Sequence, residues 1–252
     1  TKVISVQQAM GWDKVTIPKV PSMLLGSYAI SPYDVTKLYQ TIANEGASIP
    51  LNTINSVVDR QGNVVYSREF EPKQVVPREA AFQTLFAMQQ VVDRGTAHSL
   101  QPDYAHLHLA GKTGTTNDAR DTWFVGIDGE NVTTIWLGRD DNGETKLTGA
   151  SGALQVYKEY LKRATTRPLK LHKPEDIKWV GINAYGGWDC SSARTIPVWA
   201  DRNQSFCQQT EYTPTTPSVN DVESNNVTKQ ESVWDVLNEG NSAPVEDARP
   251  AN

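Results

Sequence analysis

Two short strands joined by a tight turn constrain the fold of this chain most. Thr122–Ile127 and Val132–Gly138 have the β-branched and aromatic content of strands, and the Asp-Gly-Glu-Asn link at 128–131 is typical of a tight turn. The two strands are therefore expected to pair antiparallel, since parallel neighbours need a much longer crossover. A third run of strand character, His106–Thr116, precedes them.

Three segments with helical spacing of apolar residues surround these strands. Ser31 followed by Pro32 is a typical helix start, because serine caps the first turn and proline suits its first position. Two more helices are predicted over Pro77–Asp93 and Gly149–Arg163, and a hairpin over 55–67. Since these elements follow no β-α-β rhythm, the sequence predicts an α+β fold in which helices flank an antiparallel sheet.

Charge is spread unevenly along the chain. The net charge is −5 over 252 residues, and residues 211–252 alone hold eight acidic and two basic side chains, a net of −6. No basic stripe is present to neutralise phosphates, so no nucleic-acid partner is expected. The longest apolar runs fall far short of the ~20 residues of a membrane-spanning helix. Apolar residues thin out beyond Thr210, which predicts an acidic, disordered tail over 211–252.

The two cysteines lie in a segment, residues 168–210, that is predicted to form a small β-rich subdomain. Cys190 and Cys207 belong to no Cys-x-x-Cys or Cys/His cluster, so a zinc site is not expected. They are either two unrelated buried thiols or a disulfide that closes a short loop. His106 and His108 would share a strand face, but without a third ligand we expect neither a metal site nor a cofactor.

The run from Lys112 to Thr115 carries the strongest chemical signal in the sequence. It places a cation, two hydroxyls and a glycine at the end of a predicted strand, with Lys112 and Gly114 on one face and the two threonines on the other. Gly114 would let a ligand backbone approach closely, and a carboxylate could meet the hydroxyls beside the positive charge. The alternative is an ordinary strand end with a solvated lysine. Trp123 and Trp136, within the neighbouring strands, are expected to be core residues.

The neighbourhood of this run favours the chemical interpretation. The Lys-Thr-Gly element is one signature of penicillin-binding proteins and serine β-lactamases. The order of the surrounding elements resembles the transpeptidase domain of class A high-molecular-mass penicillin-binding proteins, in particular the bifunctional 1B type of Gram-negative bacteria. The resemblance covers about residues 1–210, and the tail resembles nothing in particular. The elements that carry it are Met23–Ser27, Ser31-Pro32, Arg94–Ala97, Lys112–Asp118, Asp121–Gly126, Trp136–Asn142 and Thr148–Ala153.

This resemblance implies peptidoglycan cross-linking by acyl transfer from a serine, and acylation of the same serine by β-lactams. Lys112 would hold the terminal carboxylate of a stem peptide and contact a serine of the second motif. Thr113 and Thr115 would offer hydroxyls to that carboxylate across Gly114, and the N–H of Thr115 would be an oxyanion-hole donor. The resemblance also implies a Cys190–Cys207 disulfide and a location on the periplasmic side of the bacterial inner membrane.

The sequence departs from the family in lacking its nucleophile motif. No serine is followed by lysine at the third position, and Ser-x-Asn at Ser224-Asn225-Asn226 lies in the acidic tail, where we interpret it as chance. We therefore expect the C-terminal part of a longer protein, with transpeptidase sequence over 1–167. The partners would be the rest of that parent chain, stem peptides and β-lactams. The chain alone is predicted to be inactive.

The sequence leaves two alternatives open. The Lys-Thr-Gly element also occurs in free-standing serine β-lactamases and carboxypeptidases, although the missing Ser-x-x-Lys argues against them. The other alternative is a noncatalytic binding or regulatory module that reuses the sheet.

Overall fold

The computed structural model describes residues 2–12, 19–26 and 28–200. Within these ranges no helix combines the length and the apolar character that a membrane span requires. Short 3₁₀ turns lie at Pro21–Leu25, His98–Leu100, Ala105–Leu107 and Asn117–Ala119. The helices are α1 (Lys2–Ala9), α2 (Pro32–Ala43), α3 (Arg78–Arg94), α4 (Gln101–Tyr104) and α5 (Ala153–Leu161). The strands are β1 (Ala47–Ser48), β2 (Ser56–Val58), β3 (Val64–Ser67), β4 (Lys73–Gln74), β5 (Ala110–Thr115), β6 (Thr122–Ile127), β7 (Val132–Leu137), β8 (Ile177–Gly181) and β9 (Thr195–Trp199).

The main sheet has three strands in the order β5-β6-β7, and both pairs are antiparallel. This confirms the antiparallel pairing predicted from the turn at 128–131. Asp128 fixes that turn, because its Oδ1 accepts hydrogen bonds from the amides of Glu130 at 2.7 Å and Asn131 at 3.0 Å. The register runs without a bulge from Ala110, opposite Ile127, to Thr115, opposite Thr122.

Helices cover both faces of this sheet, as the predicted α+β fold requires. On one face Phe124 packs against Tyr157 of α5, with ring centroids 4.9 Å apart, and Leu154 joins the same buried cluster. On the other face Ala110 and Ile127 lie against α2 and α3. Their partners in that second cluster are Tyr39, Ile42, Leu85 and Met88. Alternation along each strand thus supplies one apolar set to each helical layer.

The predicted helix start at Ser31 is confirmed in detail. The Ser31 side chain accepts a hydrogen bond from the Asp34 amide at 3.1 Å, and Pro32 is the first residue of α2. The helix ends at Ala43, before Gly46, which has a φ of +92°. Helix α3 begins one residue after the predicted Pro77 and buries the predicted apolar face, which comprises Ala81, Leu85, Met88 and Val92.

Two boundary predictions were wrong. The strand expected from His106 begins only at Ala110, since His106 lies in a 3₁₀ turn and His108 has a left-handed backbone with a φ of +49°. The two histidines therefore do not share a strand face, and the described ranges contain no cluster of three or more potential metal ligands. Helix α5 begins at Ala153 rather than at Gly149, because the Gly149 and Ala153 amides donate to threonine hydroxyls of β5 and β6.

The predicted hairpin over 55–67 is confirmed as β2 and β3, and β8 pairs antiparallel with β9 in the segment after Pro168. That strand pair fits the predicted β-rich character, but the proposed boundary at residue 210 lies outside the described residues. So do the acidic tail at 211–252 and Ser224-Asn225-Asn226. Cys190 is not a free thiol. Because Cys207 lies outside the described residues, the pairing of the two cysteines stays a prediction.

The isolated chain is expected to aggregate, because it leaves large apolar side chains in water. Leu24 is 67% exposed and Leu25 is 91% exposed, and every residue of β2 and β3 is exposed. Such apolar surface is typical of interaction sites or of aggregation-prone proteins. Gel filtration and light scattering should show soluble oligomers or precipitate at micromolar concentration. A monomeric elution volume together with a cooperative thermal melt would contradict this prediction.

Candidate functional site

Strand β5, which carries the Lys-Thr-Gly element, lies at one edge of the main sheet. Within the described ranges β6 is its only strand neighbour. Thr116 and Asp121 continue the register one residue beyond the paired strands, and the Thr116 amide donates to the Asp121 carbonyl at 3.1 Å. Thr116 and Asp121 are therefore a hydrogen-bonded pair. In an antiparallel ladder, hydrogen-bonded and non-bonded pairs alternate. The N–H and C=O groups of Thr113 and Thr115 therefore point away from β6, toward the free edge.

Lys112 and Gly114 lie on the sheet face that α2 and α3 partly cover. Lys112 is exposed, and its Nζ donates a hydrogen bond of 2.6 Å to the carbonyl of Thr113, which is one of the groups at the free edge. Trp123 of β6 lies opposite Gly114. A Cβ atom added at Gly114 would lie only 3.1 Å from Cβ of Trp123. The lysine charge thus lies beside the open edge, next to a position without a side chain.

The hydroxyls of Thr113 and Thr115 lie on the opposite face, as the alternation predicts, and each is fixed by a residue outside the strand. The Thr115 hydroxyl accepts a hydrogen bond of 2.9 Å from the Gly149 amide. This bond uses one of the two lone pairs of the hydroxyl oxygen, and the hydroxyl proton remains free to donate. The Thr113 Oγ1 atom lies 2.7 Å from Oγ1 of Thr96. Two hydroxyls, together with the two outward amides of Thr113 and Thr115, therefore lie along a short stretch of edge.

The loop before α5 packs against the C-terminal end of β5. Gly149 is buried, and a Cβ there would lie 2.7 Å from the Gly114 carbonyl oxygen and 2.9 Å from Cβ of Thr113. Thr148 and Ser151 cap each other, since each hydroxyl accepts from the other residue's amide, at 3.2 and 2.9 Å. Only glycine allows this loop to approach the strand so closely.

Asp121 closes the turn between β5 and β6. Its backbone amide donates to the Thr116 hydroxyl at 2.8 Å, and its Oδ1 accepts from Nε1 of Trp136 at 3.0 Å. Trp136 is 38% exposed, so the expectation that it is a core residue was wrong. Trp123 is half-buried, and the two rings are in contact, with centroids 6.2 Å apart. Both rings lie on the sheet face that α2 and α3 only partly cover.

Sequence reasoning missed the roles of Thr96 and Gly149 at this site. Both belong to elements that carried the family resemblance, Arg94–Ala97 and Thr148–Ala153, but no geometry connected either element to β5. They lie 17 and 34 residues from their partners along the chain. The sequence did contain one signal for these two positions: a glycine stands next to a threonine at Gly95-Thr96 and at Thr148-Gly149, each at one end of a predicted helix.

Comparison with known proteins decides the family. The model of the penicillin binding protein transpeptidase domain matches residues 19–158, which is more than half of the chain and includes all of β5. The chain belongs to the penicillin-binding protein transpeptidase family. The model of the penicillin-binding protein 1B C-terminal domain matches residues 176–211 as well, so the segment with β8 and β9 also has counterparts in that type.

Curated penicillin-binding proteins 1B are similar over most of this chain. The protein from Haemophilus influenzae is 64% identical over 241 residues, which is 96% of this chain and 30% of that protein. The protein from Escherichia coli is 48% identical over 206 residues, 79% of this chain and 24% of that protein. The chain thus spans less than a third of either relative. The match at 96% must include most of residues 211–252, so the expectation that the tail resembles nothing was wrong.

Solved structures agree on the fold. The crystal structure of penicillin-binding protein 1A from Haemophilus influenzae superposes with a TM-score of 0.65 at 19% identity, over 79% of this chain and 38% of that one. The structure of penicillin-binding protein PonA1 from Mycobacterium tuberculosis superposes with a TM-score of 0.54 at 24% identity, over 62% of this chain and 44% of that one. The chain therefore has the fold of penicillin-binding proteins, as the sequence resemblance implied.

Proposed function

We propose that this chain forms one wall of a serine-type D-Ala-D-Ala transpeptidase site and acts in peptidoglycan cross-linking as part of a bifunctional glycosyltransferase/transpeptidase. The observation that carries the proposal is the free edge of β5. There the amide of Thr115 points outward, the hydroxyls of Thr113 and Thr115 are fixed, and the Lys112 ammonium lies on the adjacent face. This arrangement suits an extended peptide that ends in a carboxylate.

Each group at the edge has a role in the proposed acyl transfer. A serine from outside this chain attacks the carbonyl carbon between two D-Ala residues, and its proton leaves with the terminal D-Ala amine when the C–N bond breaks. An amine of a second stem peptide then displaces the serine oxygen from the ester, which restores the hydroxyl. The Thr115 amide stabilises the negative charge that develops on the carbonyl oxygen, a contribution of about 3 kcal/mol in comparable sites.

The threonines and the lysine hold the substrate rather than react. The free proton of the Thr115 hydroxyl donates to the terminal carboxylate, and Lys112 supplies the opposite charge. A β-lactam carries a carboxylate beside its reactive amide, so the same groups would hold it. The names of the relatives, penicillin-binding proteins, support β-lactams as ligands. The same relationship supports a periplasmic site at the bacterial inner membrane.

The domain organisation is part of this proposal. Residues 1–167 would be the C-terminal part of the transpeptidase domain, 168–210 a disulfide-containing β-rich subdomain and 211–252 a tail. The two family matches, 19–158 and 176–211, fit the first two segments. The rest of a longer parent chain would supply the serine with its activating lysine and the second-motif serine.

Fluorescent penicillin tests the proposal directly. The isolated chain should show no covalent labelling and no nitrocefin hydrolysis, because it has no Ser-x-x-Lys. A hybrid protein, in which this chain replaces the aligned segment of the 64% identical Haemophilus influenzae relative, should be labelled like that relative. The unmodified relative is the matched control.

Two results would contradict the proposal. A labelled isolated chain would show that its nucleophile lies within these 252 residues. A folded hybrid protein that takes up no penicillin, while the relative does, would show that the β5 edge does not serve as a wall of the site.

A further inference from the structure

We propose that Thr96 is a positioning residue of the anion-binding edge, acting through the hydroxyl of Thr113. This inference rests on the proposed function, since it names a residue of the same site. Thr96 lies outside β5, at the end of α3, and its Oγ1 is 2.7 Å from Oγ1 of Thr113. It would favour the orientation in which the Thr113 proton points at a bound carboxylate.

The backbone on both sides of Thr96 is held firmly. A Cβ at Gly95 would lie 2.8 Å from Cα of Val91, so the chain turns tightly against α3 at this point. Ala97 is fully buried in the same cluster as Phe124, and its amide donates to the Val91 carbonyl at 3.0 Å. The exposed Thr96 side chain therefore stands on a fixed base between two anchored neighbours.

The turn after Thr96 is also held in place, because two of its residues contact Asp93 near the end of α3. Gln101 donates to its Oδ1 at 2.8 Å, and Nδ1 of His98 lies 2.7 Å from its carbonyl oxygen. Partial burial raises the pKa of the Asp93 carboxyl. Because these contacts tie residues 93–101 together, Thr96 meets Thr113 in a preorganised geometry rather than through a flexible loop.

The Thr96 and Thr113 hydroxyls together can donate one hydrogen bond to a bound anion. Two hydroxyls that share one hydrogen bond keep one free proton between them. A carboxylate next to Thr113 attracts that proton, so Thr96 donates to Thr113 and Thr113 donates to the anion. Hydrogen bonds in such a chain polarise one another and strengthen the last one. Without Thr96, Thr113 keeps its proton but loses its orientation and this polarisation.

The test compares Thr96→Val with Thr96→Ser in the hybrid protein. Valine keeps the shape of the side chain without the hydroxyl, whereas serine keeps the hydroxyl. Stopped-flow acylation by a fluorescent penicillin separates the apparent Kd of the first complex from the acylation rate. We expect Thr96→Val to raise that Kd about three- to tenfold with the rate nearly unchanged, which is the range for one neutral hydrogen bond. Thr96→Ser should restore the Kd.

The double variant with Thr113→Val shows whether Thr96 acts through Thr113. If it does, Thr96→Val changes the Kd of the Thr113→Val protein by less than about twofold. An undiminished effect in that background, or a Kd unchanged by Thr96→Val alone, would overturn the inference. Both outcomes presuppose that the unsubstituted hybrid is acylated. If it is not, the proposed function fails and this inference fails with it.

Discussion

Replacing Lys112 by alanine in the hybrid protein is expected to slow acylation by penicillin about a hundredfold. The ammonium lies beside the free edge, with its Nζ 2.6 Å from the Thr113 carbonyl oxygen. A carboxylate about 4 Å from this charge gains about 4 kcal/mol at an effective dielectric constant near 20, before the cost of desolvation. A hundredfold change corresponds to about 2.7 kcal/mol of that attraction in the transition state.

Lys112→Arg is the matched control for this prediction, because it keeps the positive charge on a side chain of similar length. It should lose much less activity than alanine, although its planar group cannot reproduce the lysine contacts fully. The acylation rate constant at low penicillin concentration is the measurement, with the melting temperature as a check on folding. Equal rates for the alanine variant and the unsubstituted hybrid would show that the lysine is merely solvated, the alternative that the sequence left open.

Gly126→Ala is expected to destabilise the hybrid protein by about 3 kcal/mol. Gly126 lies in β6 under the ring of Tyr157, and a Cβ there would be 2.2 Å from Cζ of that ring. The ring has no room to withdraw, because Tyr157 is fully buried and packs against Phe124. Overpacking of this kind costs about 1–3 kcal/mol and sometimes more. The sheet would have to separate from α5.

Thermal unfolding measures the effect, and a loss of about 10 °C in the Tm of the transition that includes this segment is expected. Gly62→Ala is the control: it has positive φ but open space around it, so it should cost only about 1 kcal/mol of backbone strain. The same Gly126→Ala change should cost much less in a Tyr157→Leu background, since the shorter side chain removes the clash. A Tm unchanged by Gly126→Ala would mean that α5 does not pack on β6 as described.

Local chemistry made several elements predictable from the sequence. The start of α2 follows from Ser31 and Pro32, and the pairing of β6 with β7 follows from the turn at Asp128. Each depends on contacts within a few residues, which the sequence displays directly. The alternation along β5 also predicts that Lys112 and the two threonines lie on opposite faces, as the structure shows.

Other element boundaries depended on which partners the backbone N–H and C=O groups find in the folded protein, and the sequence does not show those partners. The run from His106 has strand character, but its first residues form turns, and β5 begins only where β6 offers a hydrogen-bonding partner. Similarly, α5 starts late because the Gly149 and Ala153 amides bond to threonine hydroxyls of β5 and β6. In both cases a distant strand decided how the backbone groups were satisfied.

The sequence by itself determined the family, the antiparallel pairing and the strand faces of the Lys-Thr-Gly element, because short motifs and strand alternation are local properties. Only the tertiary structure decided which groups meet at that edge. It directed the Thr115 amide to the open side, placed Thr96 against Thr113 and brought Gly149 under Thr115. These contacts join residues far apart in the chain, and their positions follow from how α3 and α5 pack on the sheet.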